Sequence, residues 1–302
     1  MRALRRSFRL GAAAIAAALM VAVPAAAGTG VITTKADEYD PAASASYVVW
    51  SVAANHRYTV YAKGIGGSRF RVNARGTDAR TGGIDTDGTT LIYQQYNQAK
   101  HHSDIYAYDL ATKQRTKIGK PVSTRRWEYG ATGSGGWILF ARDRSGTRTL
   151  LLYNTSTHEM RHLAAVTGHG HLLSPGQVAG AYAVWATAVW KSDHYASCNV
   201  FLYDITTDAT SRVANPHDRC QTAASVNPAG TVYLGRSGMR CGKNAVLRKQ
   251  PLVGAATTLV NFADGHDIYS TYALDNGDTT TDVYYDPWRC GTQANVVKLT
   301  DP

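Results

Sequence analysis

After residue 27, apolar positions come in short runs of β-branched and aromatic residues cut by Gly, Asp, Asn and Pro, and the three-to-four spacing of an amphipathic helix is nearly absent. The runs recur in pairs. The first members are Tyr47 to Trp50, Thr90 to Tyr93, Trp137 to Phe140, Tyr182 to Trp185, Thr231 to Leu234 and Asp282 to Tyr285, and their last residues are 43, 47, 45, 49 and 51 positions apart. The second members are Tyr58 to Tyr61, Ile105 to Tyr108, Leu150 to Tyr153, Val200 to Tyr203, Ala245 to Arg248 and Asn295 to Lys298. Weaker strands follow, at Arg115 to Ile118, Met160 to Ala164 and Ala256 to Val260.

A period of about 45 residues with several short strands per unit predicts propeller blades. A four-stranded sheet has two apolar faces and cannot cover both alone; stacking such sheets around an axis covers them. The expected fold is all-β, a six-bladed β-propeller of four-stranded antiparallel blades. The last unit runs through Asp267 to Leu274, Thr281 to Tyr285 and Asn295 to Leu299 and lacks an outer strand. Gly30 to Ala36 can supply it, closing the ring with both chain ends in one blade and covering a sheet edge. The rival architecture is a β-sandwich, which rarely keeps such a period through six units.

The unit from Asp85 to Ile118 carries a family likeness: Asp85-Thr86-Asp87-Gly88 at a tight turn, Leu91-Ile92-Tyr93, Ser103-Asp104-Ile105-Tyr106-Ala107-Tyr108-Asp109, then Arg115-Thr116-Lys117-Ile118. It resembles the TolB-like (WD40-like repeat) propeller unit. The resemblance implies a six-bladed propeller used mainly to bind other molecules. The chain departs from the periplasmic translocation protein in leaving no room for the α/β domain that precedes its propeller. It departs from the prolyl-oligopeptidase relatives in lacking Gly-x-Ser-x-Gly, so peptidase chemistry does not carry over.

Residues 1–27 read as a signal peptide: Arg2, Arg5, Arg6 and Arg9, an apolar run from Gly11 to Val23, and Ala25-Ala26-Ala27 at the cleavage point. An uncleaved anchor is the alternative, but the run is short of the ~20 residues a span needs. Residues 28–302 then form one propeller domain, and the expected location is extracellular or periplasmic. The mature balance, 28 basic against 22 acidic residues, is mild, and no Lys/Arg cluster suggests nucleic acid. Four cysteines, Cys198, Cys220, Cys241 and Cys290, in an exported chain without a CxxC pair predict two disulfides before a metal site.

Loops between second and third strands share a face with the connections between blades. All four cysteines and eight of the ten histidines are expected on that face. Cys198–Cys220 and Cys241–Cys290 join loops of the same or adjacent blades; the other two pairings stay open. The connections lead into the strands lining the central channel. They carry His169 and His171, His217 and Asp218, His266 and Asp267, with Arg126 and Glu128 at the equivalent place in the third unit and Asp78 and Arg80 in the second. Converging polar groups at a channel mouth predict a ligand site. His171, His217 and His266 are the candidate ligands of a divalent metal, the one cofactor considered. Trp127, Trp190 and Trp288 fall near these loops and could stack on a ligand, whereas most tyrosines are expected to be core or inter-blade packing and not a sugar-stacking platform. Asp85 to Gly88 and Asp275 to Asp278 look like fragments of calcium loops but are expected to be turns.

The favoured function is a secreted, monomeric, non-catalytic scaffold that binds a protein, peptide or cell-envelope polymer. The alternative is a metal-assisted lyase or hydrolase acting on an acidic saccharide, with Arg80 or Arg126 holding its carboxylate. A purely structural envelope protein is the third reading.

Overall fold

The computed structural model describes residues 29–32, 36–97, 100–191, 194–213, 221–236, 245–262, 266–289 and 294–302. These residues form six four-stranded antiparallel sheets arranged in a ring. The first blade holds β2 (Asp37–Ala43), β3 (Tyr47–Ala54), β4 (Arg57–Gly64) and β5 (Arg69–Arg71). The second holds β6 (Asp78–Ile84), β7 (Thr90–Asn97), β8 (His102–Asp109) and β9 (Arg115–Lys117). The third holds β10 (Trp127–Ser134), β11 (Trp137–Arg144), β12 (Thr147–Asn154) and β13 (Met160–Thr167). The fourth holds β14 (His171–Ala179), β15 (Tyr182–Lys191), β16 (His194–Asp204) and β17 (Ala209–Arg212). The fifth holds β18 (Gln221–Val226), β19 (Val232–Arg236), β20 (Val246–Gln250) and β21 (Thr257–Asn261). In the sixth, β22 (His266–Asp275), β23 (Thr281–Arg289) and β24 (Val296–Asp301) are completed by β1 (Thr29–Ile32), which pairs antiparallel with β24, Gly30 opposite Val297.

The sequence pattern explains the layering. Second and third strands are covered on both sides by neighbouring blades, so they read as continuous apolar runs. Leu150 to Tyr153 of β12 are all buried, as are Ile138 to Ala141 of β11. The six residues that mark the repeat, Trp50, Tyr93, Phe140, Trp185, Leu234 and Tyr285, are each at most 1% exposed. Outer strands face water, and Arg115–Lys117 is exposed throughout.

The strands nearest the axis share one irregularity. All six break register against their neighbours: between Tyr39 and Ala42, Thr81 and Gly83, Tyr129 and Thr132, Pro175 and Val178, Gln221 and Ala223, and Ile268 and Thr271. Such bulges bend a strand and free local backbone from the ladder. Two of them need glycine because the next blade comes too near for a side chain. A Cβ at Gly82 would lie 1.6 Å from the Ala131 carbonyl oxygen, and one at Gly176 would lie 2.5 Å from that of Ala224. Repeated around the ring, the bulges set a belt of backbone and short side chains against the channel.

Candidate functional site

The channel holds a cavity of about 500 Å³ lined by residues from all six inner strands. Below the bulges, two sets of bonds between non-adjacent blades cross the axis. Gln177 of the fourth blade donates from Nε2 to the Ala273 carbonyl (2.8 Å) and accepts from the Ala273 amide (2.9 Å) in the sixth. Tyr272 of the sixth donates its hydroxyl to the Ile84 carbonyl of the second (3.0 Å). The cavity is therefore a cup, open toward the face where the inner strands begin.

Its rim is aromatic. Trp127 is 45% and Tyr269 47% exposed, and both line the cup. They come from the third and sixth blades, opposite in the ring. Tyr96 backs Trp127 at a ring separation of 5.0 Å. Tyr39 and Trp288 back Tyr269, each at 5.7 Å. Such edge-to-face and tilted contacts fix ring planes at little entropic cost. Arg80 enters the cup with its guanidinium 3.9 Å from the centre of the Tyr58 ring. The residue as a whole is exposed, while its guanidinium is crowded by neighbouring groups. Burial by the surrounding walls acts to lower its pKa, and Asp40, with Tyr58 and Asp78, outweighs this and raises it.

Asp40 sits on the bulge of β2 with φ of 50°, a left-handed conformation that costs a non-glycine residue about 1 kcal/mol. Its amide is held by Ser270 Oγ (3.0 Å) and Asp286 Oδ2 (3.3 Å). Asp286, fully buried on β23, stands in for the ladder that the β22 bulge interrupts. It accepts from the amides of Tyr269 (2.9 Å) and Ser270 (2.7 Å) and from Ser270 Oγ (2.6 Å). Burial, with the nearby Asp40 carboxylate adding to it, pushes the Asp286 carboxyl up to about 8 despite these donors.

The expected mouth residues that the structure describes are not among those lining this cup. Glu128 is fully buried: its carboxylate accepts from Thr124 Oγ1 at 2.5 Å and pairs with Arg142 at 3.0 Å. Burial raises its pKa, opposed by the hydrogen bonds from Thr124 and Arg142. Strand alternation is the reason, since it turns Trp127 and Tyr129 to the cup and Glu128 away between them. Arg126 is exposed just before β10, and its carbonyl accepts from the Ser103 amide (3.3 Å). His169 is exposed in the connection before β14, and the His171 carbonyl accepts from Arg148. His266 stacks on Phe262 at 4.8 Å, and Asp267 accepts from the Ile268 amide at 3.0 Å. His217 and Asp218 lie outside the described residues, as do Cys220, Cys241 and Cys290. Among the described residues no three His, Cys, Asp or Glu side chains cluster as a metal site. Cys198 departs from its expected loop position: the β15–β16 hairpin runs on to Lys191 and His194, so Cys198 lies within β16 opposite Ala188.

The acidic segments are turns, as expected, and the tyrosines are placed in two settings. The acidic turns are self-satisfied, as Asp87 accepts from the Thr89 and Thr90 amides (2.8 and 2.7 Å) and Asp278 from that of Thr280 (2.6 Å). The tyrosines divide: Tyr93, Tyr233 and Tyr285 pack in the interior, whereas Tyr129, Tyr269 and Tyr272 line the cup. Their position on inner strands is the signal that separates them. Asp40 and Ser270 had no motif to mark them.

No family model and no curated protein matches this sequence. Solved structures do match. TolB from Acinetobacter baumannii is 16% identical with a TM-score of 0.57, over 85% of this chain and 64% of that one. A protein described as a TolB from Agrobacterium tumefaciens is 11% identical with a TM-score of 0.59, over 89% and 92%. The β-propeller domain of the Trilobed protease from Pyrococcus furiosus is 14% identical with a TM-score of 0.54, over 89% and 96%. This chain thus spans less than two thirds of the Acinetobacter protein. At these identities the likeness concerns the fold, which is that of a TolB-like six-bladed propeller. No helix among the described residues is long and apolar enough to cross a membrane.

Proposed function

We propose that this chain is an exported, non-catalytic binding scaffold that holds part of a protein, peptide or cell-envelope polymer in the cup. One observation carries the reading: a cavity of about 500 Å³, crossed below by Gln177 and Tyr272, has an opening dressed with braced aromatic rings and a guanidinium. Concave, largely pre-formed sites with a few fixed polar groups are where proteins bind ligands. The TolB-like fold fits a scaffold, and the propeller of a protease among its structural neighbours shows that the fold also accompanies enzymes.

The rest of the reading follows from the sequence. Residues 1–27 direct export and are removed, residues 28–302 act as one monomeric domain, and Cys198–Cys220 and Cys241–Cys290 brace the face around the cup. Each disulfide would add on the order of 3–4 kcal/mol. His169, exposed in the connection before β14, lies where a partner would meet it before the cup. The mature protein, immobilised and exposed to culture supernatant and cell-wall fractions, should retain a defined partner, and Trp127→Ala should lose most of it. Retention of the same partner by Trp127→Ala and by Arg80→Met would rule out the cup as the binding site.

A further inference from the structure

We infer that the cup receives a neutral sugar residue, with Asp40, Arg80, Thr81 and Thr271 on its hydroxyls and Trp127 or Tyr269 against its ring. This rests on the reading that the cup is a binding site and names the chemistry of what enters it.

Among the described residues, three buried polar atoms on cup-lining side chains have no hydrogen-bond partner: Asp40 Oδ2, Thr81 Oγ1 and Thr271 Oγ1. Thr81 is only 6% exposed. A buried polar atom left unpaired costs about 1–3 kcal/mol, so a wall carrying three is costly unless something pairs with them. One is an acceptor when ionised and two are hydroxyls that donate or accept. A sugar hydroxyl does both, and a ring carries several at spacings that reach neighbouring wall groups. The Asp40 backbone is also fixed in place: its left-handed conformation is held by Ser270 and Asp286, which accept from its amide.

The charges on the wall also balance. Arg80 and Asp40 are the charged side chains lining the cup among the described residues, and they offset one another. Burial raises the pKa of Asp286, behind the wall, which favours its neutral form. A wall of no net charge favours a neutral polyol over a uronate or a phosphate, while the cation and anion side by side still offer a strong donor and a strong acceptor.

Two exposed rings flank the opening. The C–H bonds on a sugar face carry slight positive charge and meet the negative face of an aromatic ring. Trp127 and Tyr269 present such faces on opposite sides of the mouth, each held by rings behind it. Hydroxyl-binding groups inside and flat apolar faces at the entrance match an amphipathic ring better than an aliphatic side chain.

The test is calorimetric and fluorescence titration of the mature protein with neutral hexose and N-acetylhexosamine di- to tetrasaccharides, uronate oligomers of the same length, and tripeptides. Neutral oligomers should bind saturably and quench tryptophan emission, with uronates about tenfold weaker or more. Thr81→Val should weaken neutral binding by about 2- to 10-fold and Thr81→Ser should restore it. Asp40→Asn, which keeps the left-handed backbone because asparagine tolerates it, should weaken neutral binding by more than about tenfold and shift preference toward uronates. Unaltered thermal unfolding of each variant separates these effects from misfolding. Failure of every neutral oligomer to bind, or variants that bind them as the parent does, would overturn the inference. Tripeptide binding that Trp127→Ala abolishes would overturn it as well, yet leave the cup as the binding site.

Discussion

Gln177 is the side chain on which the depth of the cup depends, and its removal has a cost that can be worked out. It is 4% exposed, and its amide meets both backbone groups of Ala273, itself 3% exposed, at 2.8 and 2.9 Å. Gln177→Ala deletes two hydrogen bonds and leaves one buried N–H and one buried C=O facing the axis. At about 1–3 kcal/mol for each orphaned group, the loss is about 2–6 kcal/mol. Water entering from the cup can recover part, so the expected cost is about 2–4 kcal/mol, or a fall in Tm of about 5–10 °C for a domain of this size. Gln177→Leu sharpens the test. Leucine fills the same space with apolar atoms, keeps water out and pairs with nothing, so it should cost more than alanine. Guanidinium unfolding followed by near-ultraviolet circular dichroism measures both. If the two variants lie within about 0.5 kcal/mol of the parent, or if leucine is the milder, then the crossing amide does not stabilise the ring as argued.

Three further outcomes follow from the same geometry. The Asp286 carboxyl, raised to about 8 by burial, keeps a proton that the unfolded chain releases near pH 4. Its contribution to stability is therefore complete below about pH 4 and is lost as pH rises toward 8, by up to about 1.4 kcal/mol per unit. Asp286→Asn mimics the protonated form and should flatten that slope; urea midpoints at pH 5 and 7.5 that shift equally in both proteins would contradict it. Gly82→Ala, whose Cβ would lie 1.6 Å from the Ala131 carbonyl, should cost about 3 kcal/mol or more, whereas Gly119→Ala, with nothing within 4 Å, should stay within about 0.5 kcal/mol by thermal melting. Arg80→Met should lower the Tyr58 environment's polarity with little loss of stability, at most about 1 kcal/mol, while weakening partner capture.

The repeat was legible because blade burial leaves a strong mark: Trp50, Tyr93, Phe140, Trp185, Leu234 and Tyr285 sit at the same depth in six sheets, and a period of about 45 residues locates them without any structure. The closing strand was legible too, the expected Gly30 to Ala36 overlapping the observed Thr29–Ile32. Sorting loops to one face pointed to the end of the channel where the cup lies, and Arg80 and Trp127 were already singled out there. It did not separate cup from rim, since Glu128 and Trp127 are sequence neighbours that alternation sends in opposite directions.

What the chain alone determined is the count and stacking of the blades, because covering apolar faces depends on how much apolar surface each short run carries. What only the tertiary structure decided is the cup: Asp40 meets Ser270 and Asp286 across more than 200 residues, and Gln177 reaches Ala273 across 96. Those meetings depend on where six bulges fall around an axis, and a hydrogen bond between non-adjacent blades leaves no periodic trace in either partner's own segment.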